Sequence, residues 1–475
     1  MIYARKNTRV CRTNHGLLIC IPWTVLYSTI IFLGALLHQE ICAVGFALLA
    51  SLVFVAASGT TNQAGVATCL WLLLLQNAMI GIGAHLGGNA SSSLSLLTQV
   101  PYLLILALFF GRYIFSKKSN TKEGKTFWAL ILCVDIILLF FIGNAELNYK
   151  LVSIRNVTMF YMGYKLACSQ SISKESEDDI LKQIVAVSIT ATIVGILMMI
   201  QDIHFWQEIG IYEVYIAKQS PIPYGTLGGR FYTSLDGVND VLRMGSLYYE
   251  PVNLAYLLLA GLISSLILYR KRSCSIITVA LLALGLFLTF GKGGYMLLAI
   301  LVASMVSNRI FSLATGHNIS KTRLASFCIC FLVIGIAAYS YYRLVGGPVK
   351  PHFWAIEQTL SSIIANPFGH GLGTGGNMSV AGNDYSKGAE SAVMSVGYQL
   401  GVIGVVCLLM MLYAISKQFK NHSGLEASLG FFIPLCLFSV AILQENTFSP
   451  QCIFPFMALL ASLNSTVNNS QIEEV

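Results

Sequence analysis

The chain has 475 residues, 56% of them hydrophobic and 11% charged, with a mean hydropathy of +0.71. Such a composition excludes a soluble globular domain and makes lipid the main solvent. A formal net charge of +8 would suit nucleic acid in a soluble chain, but in a membrane protein basic residues gather on the cytoplasmic side for insertion reasons, so no nucleic-acid partner is expected.

Unpaired backbone groups cannot be left in hydrocarbon, so apolar runs must be helices or a closed barrel, and these runs are too long and continuous for barrel strands. An all-α, polytopic transmembrane bundle is predicted, with about fourteen spans. In chain order they are Leu17 to Leu37, Ile41 to Ser58, Ala64 to Leu86, Leu94 to Phe115, Phe127 to Ile142, Leu151 to Ala167 and Ile184 to Ile200. The remainder are Val252 to Tyr269, Ile276 to Phe290, Tyr295 to Ile310, Leu324 to Tyr342, Ala392 to Ile415, Leu429 to Leu443 and Cys452 to Leu463. Most of the 29 lysines and arginines fall in alternate connections, beginning with Arg5, Lys6, Arg9 and Arg12 and continuing through Lys117, Arg270, Arg309, Lys321, Arg323 and Lys420. That side is read as cytoplasmic, and an even span count puts both termini there. The first apolar run lacks a small-residue cleavage site and is expected to be retained as a helix.

Two connections of about fifty residues interrupt the tight turns, and loops of this length are functional or disordered. Their aromatic and glycine content argues against disorder. They divide the chain into an N-terminal transmembrane bundle (1–200), a first long loop (201–250), central helices (251–342), a second long loop (343–391) and C-terminal helices with a short tail (392–475). In the first loop Phe205, Ile209, Tyr212 and Ile216 share one helical face, and in the second Phe353, Ile356, Leu360 and Ile363 do the same until Asn366-Pro367 ends the helix. Both helices suit the membrane interface.

The stretch Arg243-Met-Gly-Ser-Leu-Tyr-Tyr-Glu-Pro-Val-Asn253 carries the densest chemistry. Pro251 fits the first position of a helix whose positive end would face Glu250, and a helix N-terminus beside an arginine suits phosphate. Alternatively Glu250 only caps that helix, and Arg243 is solvated or pairs with Asp240. Lys292, in Phe290-Gly-Lys-Gly-Gly294, either binds an anion or snorkels to headgroups. Arg155 and Asp135 lie inside spans, where ionisable groups face a polar interior; they either pair with each other or serve a ligand. The second loop brings Arg343, Lys350, His352, His370 and Glu390 around Asn366-Pro-Phe-Gly-His-Gly-Leu-Gly-Thr-Gly-Gly376. Its glycines permit close approach to a ligand or simply make a flexible turn. Neither a metal-ligand spacing nor a Gly-x-Ser-x-Gly elbow is present, so no metal and no cofactor are expected.

Three signals make the chain similar to the O-antigen polymerase and ligase superfamily: Arg243-x-Gly245 with Glu250-Pro251 opening a span, the Phe290–Gly294 turn, and Asn366-Pro-Phe-Gly-x-Gly-Leu-Gly373 followed by Glu390-Ser391 and Gly401-Val-Ile-Gly404. The resemblance covers roughly the C-terminal half. It implies a GT-C-like, metal-independent glycosyltransferase of the bacterial inner membrane, with both long loops periplasmic. The substrate would be an undecaprenyl diphosphate-linked oligosaccharide, and the expected partners are membrane lipid and a chain-length regulator and flippase of the same pathway. Many ligases carry a histidine where this chain has Glu390, which favours a polymerase moving the growing glycan onto a new lipid-linked repeat unit. The alternatives are a ligase acting on the lipid A core and a transporter or flippase for lipid-linked sugars; no internal repeat of the kind transporters carry is visible. Arg243, Glu250, Glu390 and His370 are the expected catalytic residues. Arg230, Arg343, Lys292, Arg155, Tyr248 and Tyr249 are expected to bind substrate, the tyrosines by stacking on sugar rings.

Overall fold

The computed structural model describes residues 14–58, 62–88, 90–115, 127–168, 174–218, 222–234, 240–316, 318–344, 350–376, 384–388 and 390–473. The lysines and arginines at 5–12, together with Lys117, lie outside them. The described residues form α1 (Asn14–Leu36), α2 (Glu40–Ser58), α3 (Asn62–Gly87), α4 (Val100–Phe115), α5 (Phe127–Phe140), α6 (Leu147–Cys168) and α7 (Lys174–Met199). There follow α8 (Ile203–Glu208), α9 (Ile211–Ala217), a hairpin of β1 (Tyr232–Ser234) and β2 (Asp240–Leu242), α10 (Pro251–Arg270), α11 (Ile276–Leu288) and α12 (Lys292–Thr315). The chain closes with α13 (Ile319–Leu344), α14 (Lys350–Ala365), α15 (Ala392–Lys417), α16 (Leu425–Ala441) and α17 (Pro450–Glu473). Every predicted span lies on one of these helices, and a 3-10 turn over Ser92–Gln99 leads into α4. Among the described residues seven helical stretches are long and apolar enough to cross a membrane, and five shorter apolar helices accompany them. Large apolar side chains such as Ile137, Leu138, Phe287, Leu332 and Val333 are exposed on their outer faces, as expected where lipid rather than water surrounds the protein.

The chain divides into two compact units. The first comprises 1–119, 162–291 and 450–465; the second comprises 120–161, 292–449 and 466–475. In the first, α10 is buried along nearly its whole length. Small residues let its neighbours approach: a side chain at Gly261 would meet Ser188 Oγ of α7 at 2.3 Å, and one at Gly285 would meet Thr192 Oγ1 at 2.6 Å. Close approach through glycine, serine and threonine is how helices associate where no hydrophobic effect separates them from lipid.

The loop helices differ from expectation in register. The predicted helix through Phe205 and Ile216 is broken into α8 and α9 by Gly210, whose φ is 75°. A Cβ there would strike the Gly81 carbonyl of α3 at 1.9 Å. The face that docks is therefore Trp206, Ile211, Val214 and Tyr215, all buried, and the expected residues lie beside it. In the second unit α14 ends at Ala365 as expected, but its buried residues are Ala355, Thr359 and Ile363, while Leu360 is exposed. Phe353 stacks on Tyr342 with centroids 5.1 Å apart.

The glycine-rich run after Asn366 is held by backbone hydrogen bonds rather than forming a loose turn. It completes a break in α15, where Gly401 adopts φ 66° and ψ −166°, a region open essentially to glycine alone. An unbroken helix would pair the Val402 amide with the Tyr398 carbonyl. Instead Val402 N–H donates to Pro367 O at 2.9 Å, while the Tyr398 and Gln399 carbonyls accept from the amides of His370 at 2.9 Å and Gly371 at 3.1 Å. Gln399 Oε1 accepts the Gly373 amide at 2.7 Å. A Cβ at Gly401 would meet the Pro367 carbonyl oxygen at 2.2 Å. Gly401→Ala is therefore expected to lower stability by about 1–3 kcal/mol or more. Gly335→Ala, on an exposed face of α13 with no atom near the added methyl, is expected to be neutral or slightly stabilising. Thermal unfolding of the two variants in detergent is the check, and equal midpoints would count against the strained break.

Candidate functional site

The first unit assembles its charged residues where the first long loop enters α10. The Arg243 amide donates to Phe231 O at 2.8 Å and the Met244 amide to Leu288 O at 2.9 Å, which seats the strand end against α11. The chain then passes through two left-handed non-glycine residues, Ser246 at φ 48° and Tyr249 at φ 49°, each costing roughly 1–3 kcal/mol. Side chains hold that shape. Ser246 Oγ donates to Ala191 O at 2.7 Å, Asn77 Nδ2 donates to Tyr248 O, Tyr215 OH donates to Tyr249 O at 3.0 Å, and Tyr249 OH donates to Ile209 O at 2.9 Å. Tyr248 and Tyr249 are as buried as Glu250 beside them, and in this arrangement, rather than stacking on a sugar, they anchor the turn that carries it.

Glu250 occupies the N-cap position of α10 with Pro251 in the first turn, but its side chain makes no capping hydrogen bond. The carboxylate is only 2% exposed. Oε2 accepts from Arg230 Nη1 at 3.0 Å, and Oε1 is buried with no hydrogen-bond partner. Arg243 Nε donates to Thr289 O at 3.0 Å and its Nη1 donates to Arg230 O at 3.1 Å, so one guanidinium braces the backbone of the residue that pairs with Glu250. Planar guanidinium geometry suits that bridging of two carbonyls.

A third cation, absent from the sequence expectations, joins them. Lys218 follows α9 and lies 5.3 Å from the Tyr215 ring centroid. Its Nζ is inaccessible and has no hydrogen-bond partner, although part of its stem reaches solvent. Burial, opposed by Glu250 and reinforced by Arg230, holds its pKa down to about 8. A lone lysine in a polar segment carries no sequence signal of such burial. The loop therefore pairs one buried carboxylate with Arg230 and holds a desolvated ammonium within electrostatic reach of both. An unpaired carboxylate oxygen there can accept a proton, and the cations can attract an anion.

The remaining predicted residues lie in the second unit. Lys292, the first residue of α12, and Arg343, at the end of α13, are exposed. His370 stacks on Tyr398 with centroids 4.1 Å apart, and its Nδ1 is 3.1 Å from Tyr398 O. Glu390 sits at φ 68° just before Ser391, the N-cap of α15, with Oε2 3.6 Å from His352 Nδ1. Arg155 is buried and its Nε donates to Asn156 Oδ1 at 3.4 Å. Asp135 Oδ2 is buried without a hydrogen-bond partner, so the pairing considered for it with Arg155 is not seen. Among the described residues no three His, Cys, Asp or Glu side chains converge on a point.

No protein-family model, curated protein or solved structure matches the chain.

The buried ammonium gives a signed pH dependence. Because the folded state holds the Lys218 proton less tightly than the unfolded chain, whose lysine titrates near 10.5, stability rises as pH increases from about 8 toward 10.5. Below that window the charged form opposes folding. Lys218→Met is expected to remove this rise, so the gap between the thermal midpoints of wild type and variant should change across the window. A gap constant with pH would put the ammonium in contact with water.

Proposed function

We propose that the protein is a membrane glycosyltransferase of the O-antigen polymerase kind, acting at the periplasmic face of a bacterial inner membrane on undecaprenyl diphosphate-linked oligosaccharides. The observation that carries this reading is Glu250, buried beside Arg230 with one carboxylate oxygen unpartnered, in a loop that also buries the Lys218 ammonium. The sequence similarity supplies the substrate class, and the cluster supplies a matching chemistry. Glu250 Oε1 takes the proton of an acceptor hydroxyl as that oxygen bonds to the anomeric carbon of the growing glycan. The anomeric carbon–oxygen bond to the lipid diphosphate breaks in the same step. The electron pair leaves with the diphosphate, whose charge Arg230 and Lys218 offset. Arg243 keeps Arg230 in place through the carbonyl it bridges.

Reconstitution of purified protein with lipid-linked repeat units tests this. Lengthened lipid-linked glycans are expected, with activity persisting in excess chelator. Glu250→Gln should lower turnover by about 100-fold or more while substrate still binds, and Arg230→Lys by roughly ten-fold or more through loss of the fork. Translocation without new glycosidic bonds would indicate a transporter, transfer to a lipid A core would indicate a ligase, and near-normal turnover of Glu250→Gln would remove this cluster from the chemistry.

A further inference from the structure

The second unit holds a small polar cavity that the chemistry at Glu250 does not use. Its lining belongs wholly to that unit: α6 around Ser153 and Asn156, the glycine run at Gly375, the first two turns of α15, and the 3-10 turn that carries Glu445 and Phe448. The volume is about 40 Å³, room for about two or three water molecules and too little for a whole sugar ring. Ser153, Ser395 and Gln399 are buried in the wall, whereas Asn156 and Glu445 are half-buried and form the mouth. Because α15 begins where the second long loop ends, the cavity lies at the end of the unit expected to be periplasmic.

The wall is fixed by its own hydrogen bonds. Gln399 Oε1 accepts the Gly373 amide at 2.7 Å, and Gln399 Nε2 donates to Gly375 O and to Ser395 Oγ, each at 3.0 Å. Ser395 thus accepts within the wall, and its own proton has no acceptor among the described residues. Gly376, at φ 87°, lets two groups converge: Ser395 Oγ and Glu445 Oε1 both lie within 2.7 Å of the position a Cβ there would take. Ser153 is 7% exposed, and its hydroxyl bonds to no described residue. Asn156 Oδ1 accepts from Arg155 Nε at 3.4 Å, while the Asn156 amide nitrogen has no partner among the described residues.

The cavity therefore presents unspent donors beside a carboxylate. A cation would meet those donors and the guanidinium that holds Asn156, and an anion would meet Glu445. A neutral hydroxyl suits both, since it donates to a carboxylate and accepts from an amide or another hydroxyl. We propose that this cavity binds a pair of adjacent hydroxyls on the edge of one sugar ring, with Val157, Val396 and Phe448 as the apolar walls that such sites combine with a few fixed polar groups. The proposal rests on the reading of the substrate as a lipid-linked glycan, and it adds a place where one of the sugars is recognised.

Saturation-transfer NMR on the full chain, in a detergent without a sugar headgroup, tests this. The probes are the oligosaccharide released by mild acid from the lipid-linked repeat units, and glycerol as a control polyol. Transfer to the oligosaccharide and none to glycerol is expected. Ser153→Ala should weaken oligosaccharide binding by about two- to ten-fold, the loss of one neutral hydrogen bond. Its thermal midpoint should match wild type, because that hydroxyl makes no bond within the fold. Ser153→Leu, which fills the cavity, should abolish binding. No transfer to the oligosaccharide, equal transfer to glycerol, or an affinity indifferent to both Ser153 variants would overturn the proposal. Glycan elongation without oligosaccharide binding would remove this site and spare the catalytic reading; binding lost in the Ser153 variants, in a protein that elongates nothing, would do the reverse.

Discussion

A carboxylate at the start of a helix buried along nearly its whole length cannot be left to water, and α10 puts Glu250 in that position. Removing an ion from water costs several kcal/mol unless a partner of good geometry is supplied. Much of the first loop can be read as that supply. Arg230 brings the pairing charge, Arg243 ties the Arg230 backbone to α11 through Thr289, and the left-handed residues at 246 and 249 turn the chain so that Glu250 enters α10 from inside. The tyrosines that flank the turn are consumed in holding it. Buried polar atoms that remain without a hydrogen-bond partner in this loop include Glu250 Oε1, the Lys218 ammonium, Glu213 Oε2 and Trp206 Nε1.

The helices were legible because hydropathy is a property of whole segments: fourteen apolar stretches could be placed without knowing any neighbour. Helix faces were less legible. The buried stripe of α14 is offset from the one its periodicity suggests, and that of α8 and α9 is displaced by Gly210, because the docking surface rather than the sequence of the helix chooses the face. The helix start at Pro251 was legible, since proline is favoured in the first turn of a helix. The burial of Tyr248 and Tyr249 was not, because a tyrosine pair looks alike on paper whether it stacks on a sugar or locks a turn. Lys218 had no signal at all: its burial depends on Tyr215 and Glu250, distant in sequence from it or unremarkable beside it.

The two glutamates that precede helices are physically different. Glu250 is sealed and paired with an arginine, whereas the Glu390 side chain is 39% exposed and faces His352. Arg230 is itself 42% exposed, so the first pair runs from a buried carboxylate to a guanidinium at the surface, whereas both members of the second pair reach solvent.

The break at Gly401 has a consequence for how the second unit opens. The amides of His370, Gly371 and Val402 are each held by a carbonyl from the other side of the break, so none can be released by fraying one helix end. Loop backbone of this kind exchanges its hydrogens only when the packed helix beside it also comes apart. The glycine run after Asn366, which composition alone would mark as a floppy connector, thereby belongs to the same cooperative unit as α15, and its amide protons should be among the slowest to exchange outside the helices.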